Sequence, residues 1–352
     1  MEIVEAIRRV VDGQHLSRAE AESVMEAIMT GQATDAQIAA FLTALRMKNE
    51  TVEELIGFAR VIRAKAVPVR PKSAVDAAFS GTDREMLVDT CGTGGDAAGT
   101  FNISTATAFV VAGAGAPVAK HGNRSVSSLC GSADVVEALG IRIDLGPDDV
   151  ARCIDEAGIG FLYAPLLHSA MRYVMLARRE MKIRTVFNLL GPLCNPAGAN
   201  AQVMGVYNEN LTDMMAQVLS ELGARRALIV HGLDGLDEIT ITGETKISEV
   251  RDGEVRTYYV VPEDFGLSRA SIEQIQGGDA TKNAEIIREV LSGRESVRKD
   301  VVLLNAAAGL VAGGKARSLR HGIELARESI GSGAALARLD ALVTLSRRLA
   351  PG

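Results

Sequence analysis

A chain of 352 residues, 47% hydrophobic and 23% charged, is longer than one ordinary domain and rich enough in apolar side chains to bury a large core. The net charge is −6 and there is no long basic run, so no concentrated cationic face offers itself to nucleic acid. No uncharged apolar run of about 18 residues is present, which excludes a transmembrane helix, and the acidic start Met1-Glu2-Ile3-Val4-Glu5 does not read as a signal peptide.

The chain opens with helical patterning. Ile3, Ile7, Val10 and Val11 share one face of a first helix that stops at Gly13. Three capping boxes follow, Ser17-x-x-Glu20, Thr34-x-x-Gln37 and Thr51-x-x-Glu54; in each, the hydroxyl and the side chain three residues on satisfy each other's orphan amides. Four short helices bury little area alone. They must pack on the rest of the chain or on a second copy, which makes this unit the expected surface of a homodimer. Val67-Pro68-Val69-Arg70-Pro71 breaks the helical pattern and reads as an extended linker.

Beyond it, short apolar strands alternate with helices. The predicted strands are Met86 to Val88, Pro117 to Ala119, Gly160 to Tyr163, Val203 to Tyr207 and Ala227 to Val230; Ala133 to Leu139 and Leu211 to Leu222 are helical. A hairpin is expected between Ile239 and Val261, and helix again from about Lys282. The fold class is therefore α/β: a small all-helical N-terminal domain, residues 1–70, and a larger α/β domain, residues 71–352, with a mainly parallel central sheet. Trp is absent, so the core must be built from Ala, Val, Leu, Ile and Met. Cys91, Cys130, Cys153 and Cys194 lack CxxC spacing. Reduced thiols in a cytoplasmic protein are expected, rather than a zinc site or a disulfide framework.

Asp89-Thr90-Cys91-Gly92-Thr93-Gly94-Gly95-Asp96 follows a strand and leads through Thr100-Phe101 to Asn102-Ile103-Ser104-Thr105 at the start of an apolar helix. Glycines let backbone amides approach an anion, and the helix N-terminus adds unpaired N–H groups and a favourable dipole. The pattern is neither a dinucleotide fingerprint nor a P-loop. A plain strand-to-helix turn with Asn102 or Ser104 as cap is the ordinary alternative. A second loop, Lys120-His121-Gly122-Asn123-Arg124-Ser125-Val126-Ser127-Ser128, follows the next strand and crowds cations and hydroxyls together. Neighbouring strand ends of an α/β sheet line one crevice, so this loop is expected to make a second phosphate contact. Gly131-Ser132-Ala133-Asp134 opens the next helix towards it.

The segments DTCGTGGD, TFNIST, KHGNRSVSS and GSADVVEALG, then His168-Ser169-Ala170-Met171, RTVFNLLGPLCNP (Arg184 to Pro196) and HGLDGLDEIT (His231 to Thr240), resemble in order and spacing the anthranilate phosphoribosyltransferases. The likeness covers nearly the whole chain. It departs at Ser169, where the family often has Pro, at Lys182, where Gly is common, and at Leu129-Cys130, where Lys-Ser is frequent.

The resemblance implies transfer of a phosphoribosyl group from 5-phosphoribosyl 1-pyrophosphate to the amine of anthranilate, a step of tryptophan biosynthesis. It implies that Gly92, Gly95, Asp96, Thr100, Asn102, Ile103, Ser104 and Thr105 hold phosphoribosyl pyrophosphate, with Lys120, Asn123, Ser127, Ser128 and Ser132 completing the pocket. Asp237 and Glu238 would bind Mg²⁺, with Ser104 at a second ion, and hard carboxylate oxygens suit that metal. Arg178 would grip the anthranilate carboxylate, bordered by Gly92 and Asn123; spacing alone leaves Arg179 level with it. Lys120 and Arg178 would be the catalytic pair. Helices from about 168–200 would join the helical domain. A pyrimidine nucleoside phosphorylase would run related chemistry with phosphate, but the Lys-His-Gly-Asn-Arg loop and the acidic pair speak against it.

Overall fold

The computed structural model describes residues 1–72, 86–96, 98–125 and 129–350. The chain begins with four helices, α1 (Ile3–Val11), α2 (Arg18–Met29), α3 (Asp35–Lys48) and α4 (Val52–Lys65). All three capping boxes form, at Ser17, Thr34 and Thr51. Glu54 goes beyond its box. It is fully buried, and its carboxylate accepts from Leu16 N at 2.9 Å, Thr51 N at 2.8 Å and Lys48 Nζ at 2.9 Å. One charge thus pins both the α1–α2 and the α3–α4 connections, and it tolerates burial because every partner is a donor.

The helical unit buries its inner faces on itself and on the rest of the chain. Phe41 and Phe58 meet edge to face at 6.1 Å, and their cluster continues into Val174, Phe187, Leu190, Met215 and Leu219. Arg63 of α4 donates to Leu193 O at 2.6 Å and Leu222 O at 3.0 Å. Much of the covering that four short helices need therefore comes from the same chain. The stretch after α4 is extended, as expected, but anchored: Val67 N donates to Leu167 O at 2.8 Å, Val69 N to Pro196 O at 3.1 Å, and Val69 is buried.

Seven strands form one sheet: β1 (Val88–Asp89), β2 (Val118–Gly122), β3 (Ile159–Tyr163), β4 (Ala201–Gly205), β5 (Arg226–Gly232), β6 (Thr245–Arg251) and β7 (Glu254–Val260). The spatial order is β3-β2-β1-β4-β5-β6-β7. β1 to β5 are parallel, while β6 and β7 add the expected hairpin antiparallel at one edge. β2 and β4 are buried throughout, as helices on both faces of a parallel sheet require. The chain direction of strand addition reverses between β1 and β4. At such a switch the loops leaving the strand ends diverge and open a crevice. β1 delivers the glycine-rich turn to it and β5 the acidic turn.

Replacing Glu54 with Ala leaves Lys48, the buried Leu16 amide and the half-buried Thr51 amide without their acceptor. Chemical denaturation should show a loss of about 3–5 kcal/mol; a loss below about 1 kcal/mol would contradict this reading of the buried carboxylate.

Candidate active site at the β1–β4 switch point

The glycine-rich turn is pressed against the end of β4. Thr93 N and Oγ1 donate to Gly205 O at 2.8 and 3.2 Å, and a Cβ on Gly92 would lie 2.9 Å from the same oxygen. Gly94 and Gly95 take φ of +67° and +80° and are exposed, a left-handed path that glycine follows without penalty. On its other side Gly205 meets the acidic turn, where a Cβ would sit 1.5 Å from Asp237 O. No side chain fits at position 205, so both turns close on one point of the backbone.

That approach aims the two carboxylates. Asp237 Oδ2 accepts from Gly94 N at 2.7 Å, and Glu238 Oε1 accepts from Ser104 N at 3.1 Å. Ser104 lies in the first turn of the helix Ile103–Gly113, so the acids occupy amides of the kind that bind anions at helix starts and glycine turns. Burial, reinforced by the charge of Asp96, pushes Asp237 up to about 7. Burial and then Asp237 push Glu238 well above the usual carboxylate range. Carboxylates crowded in this way are held against a repulsion that a divalent cation relieves, and their hard oxygens suit Mg²⁺. The cation already present is Lys120, buried on β2, whose Nζ donates to Thr90 O at 2.8 Å and Ser104 Oγ at 3.2 Å.

The remaining predicted residues divide by accessibility. Ile103 and Thr105 are buried, and their amides are already engaged, Ile103 N donating to Phe101 O at 2.7 Å and Thr105 N to Asn102 O at 3.1 Å. Asn102 makes no side-chain cap; its Oδ1 accepts from Asn283 Nδ2 at 2.9 Å and from Cys130 Sγ at 3.5 Å. Thr100 is half-buried and bridged to Gln276. Asn123 is exposed, and its N–H donates to Ser132 Oγ at 3.2 Å. Arg124 is committed to Asp134 at 2.8 Å and Glu137 at 2.6 Å. Ser127 and Ser128 lie outside the described residues.

Arg178 and Arg179, level on spacing, differ in surroundings. Arg179 is exposed. Arg178 is half-buried with its guanidinium 5.3 Å from the Phe187 ring centroid, and has no carboxylate partner among the described residues. Burial alone pulls its pKa down, a push that an anion beside it would reverse. Lys182 has φ +50°, a left-handed conformation that glycine adopts without penalty.

Two supporting residues had no role assigned from the sequence. Buried Asn195 donates to Asp89 Oδ2 at 2.7 Å and Ala119 O at 2.9 Å. Buried Asn305 clamps the residue after Glu238, accepting from Ile239 N and donating to Ile239 O, both at 2.9 Å. Its one legible trace is a lone amide in the apolar run Val301 to Ala312. Asp89, Cys91 and His121 bring ligand atoms within 4.8 Å of one another. Asp89 is already engaged by Asn195 and by His121 N at 3.2 Å, and burial pushes the Cys91 thiol up to about 12, so the trio reads as a structural joint. Burial likewise lowers His121 to about 3 and His168 to about 4. Both rings stay neutral at physiological pH.

Residues 84–336 match the glycosyl transferase family, a/b domain, and residues 4–66 that family's helical bundle domain. The anthranilate phosphoribosyltransferase of Moorella thermoacetica is 58% identical over 337 residues, 96% of each chain. The chain belongs to the anthranilate phosphoribosyltransferase family. The fold agrees: the crystal structure of anthranilate phosphoribosyltransferase from Thermus thermophilus matches with a TM-score of 0.89 at 43% identity, covering 97% of this chain and 99% of that one. Anthranilate phosphoribosyltransferase from Saccharomyces cerevisiae in complex with PRPP and Mg matches at 0.86 and 27% identity, covering 99% and 98%. The chain is thus an enzyme of the glycosyltransferase class.

The acidic turn of this anthranilate phosphoribosyltransferase family member carries a pH signature. Asp237 rises from 3.8 to about 7 on folding, so between those values the folded chain holds a proton that the unfolded chain has released. Stability must then fall as pH rises through that window. In EDTA, the thermal midpoint should drop more steeply between about pH 5 and 7 for the natural chain than for Asp237→Asn. Equal slopes would contradict a raised Asp237.

Proposed function

We propose that this chain transfers the phosphoribosyl group of 5-phosphoribosyl 1-pyrophosphate to the amine of anthranilate, giving N-(5-phosphoribosyl)anthranilate and pyrophosphate in L-tryptophan biosynthesis. One observation carries the reading: two carboxylates with raised pKa rest on the amides of a glycine-rich turn and a helix start, beside buried Lys120. That arrangement suits a polyanion accompanied by a divalent cation.

The bond between the anomeric carbon and the pyrophosphate oxygen breaks with its electron pair going to pyrophosphate. The anthranilate nitrogen supplies the pair for the new bond, then loses a proton. An aryl amine is largely unprotonated at neutral pH, so no strong base is needed. This fits two buried, neutral histidines. Lys120 stabilises charge on the departing group. The amides of Gly92, Gly95 and the helix start, with Asp96, Thr100, Asn102, Asn123 and Ser132, fix the donor. Arg178 holds the anthranilate carboxylate through its planar fork, and positioning contributes much of the rate. When bound, Mg²⁺ supplies positive charge to the pyrophosphate; Asp237 and Glu238 would hold it, with Ser104 at a second ion. The two domains, residues 1–70 with the helices of 168–200 and the remainder, would meet across this site.

Two further expectations belong to the same reading. Among the described residues no helix is long and apolar enough to cross a membrane, in keeping with a cytoplasmic enzyme. A homodimer through the helical unit is supported by exposed Val4, Val11 and Met47; light scattering at one chain mass would overturn it.

Fluorescence should show anthranilate consumed in the presence of phosphoribosyl pyrophosphate and Mg²⁺, and EDTA should stop it. Arg178→Ala should raise the anthranilate KM at least about tenfold, the loss of about one charged hydrogen bond, with little change for the donor. Asp237→Ala should do the reverse. No consumption by folded protein, or unchanged constants in both variants, would sink the assignment.

A further inference from the structure

Arg184 belongs to the segment Arg184 to Pro196 and has no role in the chemistry above, yet it touches three parts of the molecule at once. Its carbonyl accepts from Nη1 of Arg46, on α3, at 2.7 Å. Its guanidinium lies 4.3 Å from the ring centroid of Tyr207, just beyond β4. Its Nη2 donates to Gly95 O in the glycine-rich turn. A Cβ on Gly95 would lie only 3.2 Å from that same nitrogen, so close approach of the arginine is a second reason for glycine there, besides φ +80°. No carboxylate pairs with Arg184 among the described residues.

We propose that Arg184 is a positioning residue that fastens the glycine-rich turn to the helical unit, so that the grip on the phosphoribosyl donor depends on a contact from the other domain. The turn is held from two sides. On the α/β side Gly94 N donates to the Asp237 carboxylate; on the helical side Gly95 O accepts from Arg184. An Asp237 turned towards a cation gives up some of its hold on Gly94, and the bond to Gly95 then keeps the turn in place. A guanidinium suits this task better than an ammonium, because its plane stacks on Tyr207 while its edge donates. Helix α3, through Arg46, sets where that plane lies.

This inference rests on the proposed activity, and the test separates the two. Full-length protein, Arg184→Met, Arg184→Lys and Arg46→Met are compared by calorimetric titration with phosphoribosyl pyrophosphate and Mg²⁺ and by steady-state kinetics, with the thermal midpoint as a folding check. Arg184→Met should weaken donor binding and raise the donor KM about tenfold, the scale of one charge-assisted hydrogen bond, with the anthranilate KM within about twofold. Arg184→Lys should recover part of the donor affinity, and Arg46→Met should shift it the same way by less. A natural chain that neither binds nor uses the donor overturns the activity and this inference together. An active natural chain whose Arg184→Met variant keeps full donor affinity, or loses both substrates in equal proportion along with its thermal midpoint, overturns this inference alone.

Discussion

The site depends on the absence of one side chain. Gly205 ends β4 where the glycine-rich turn and the acidic turn cross, and a Cβ there would occupy the position of the Asp237 carbonyl. With nothing between them, Asp237 reaches Gly94 and Glu238 reaches Ser104. The strain is electrostatic. Carboxylates packed together out of water are pushed towards protonation, and a bound cation reverses the push.

Around that point the protein places buried amides where packing alone would not give a single geometry. Asn195 ties the end of β1 to the backbone of β2, and Asn305 fixes the residue beside Glu238 with two bonds. Each is fully engaged, which makes it tolerable in a core and specific in effect. The same logic at Glu54 pins the helical unit. The helical unit and the sheet share one hydrophobic cluster, and polar contacts such as Arg63 on Leu193 and Leu222 and Arg184 on Gly95 cross between them.

Much of this was legible beforehand where it is local. Capping boxes span three residues, and all three appear as read. The alternation of apolar runs and helices gave a mainly parallel sheet with a terminal hairpin, because burial on both faces leaves that pattern. Strand order was not legible, since it is decided by packing across the whole sheet. The glycine-rich turn showed its freedom of approach, but not its partner: Asp237 is 143 residues from Gly94. Spacing leaves Arg178 and Arg179 level; the resemblance favours Arg178, and burial separates the two. The linker read as extended, but its anchoring was hidden because its partners, Leu167 and Pro196, are remote in sequence.

The most direct test of the central claim is a crystal structure grown with phosphoribosyl pyrophosphate and Mg²⁺. The account predicts pyrophosphate density on the amides of Gly92 to Gly95 and the start of the helix at Ile103, with metal density on Asp237 and Glu238. A donor bound elsewhere, or bound there with both carboxylates still on Gly94 N and Ser104 N, would contradict it.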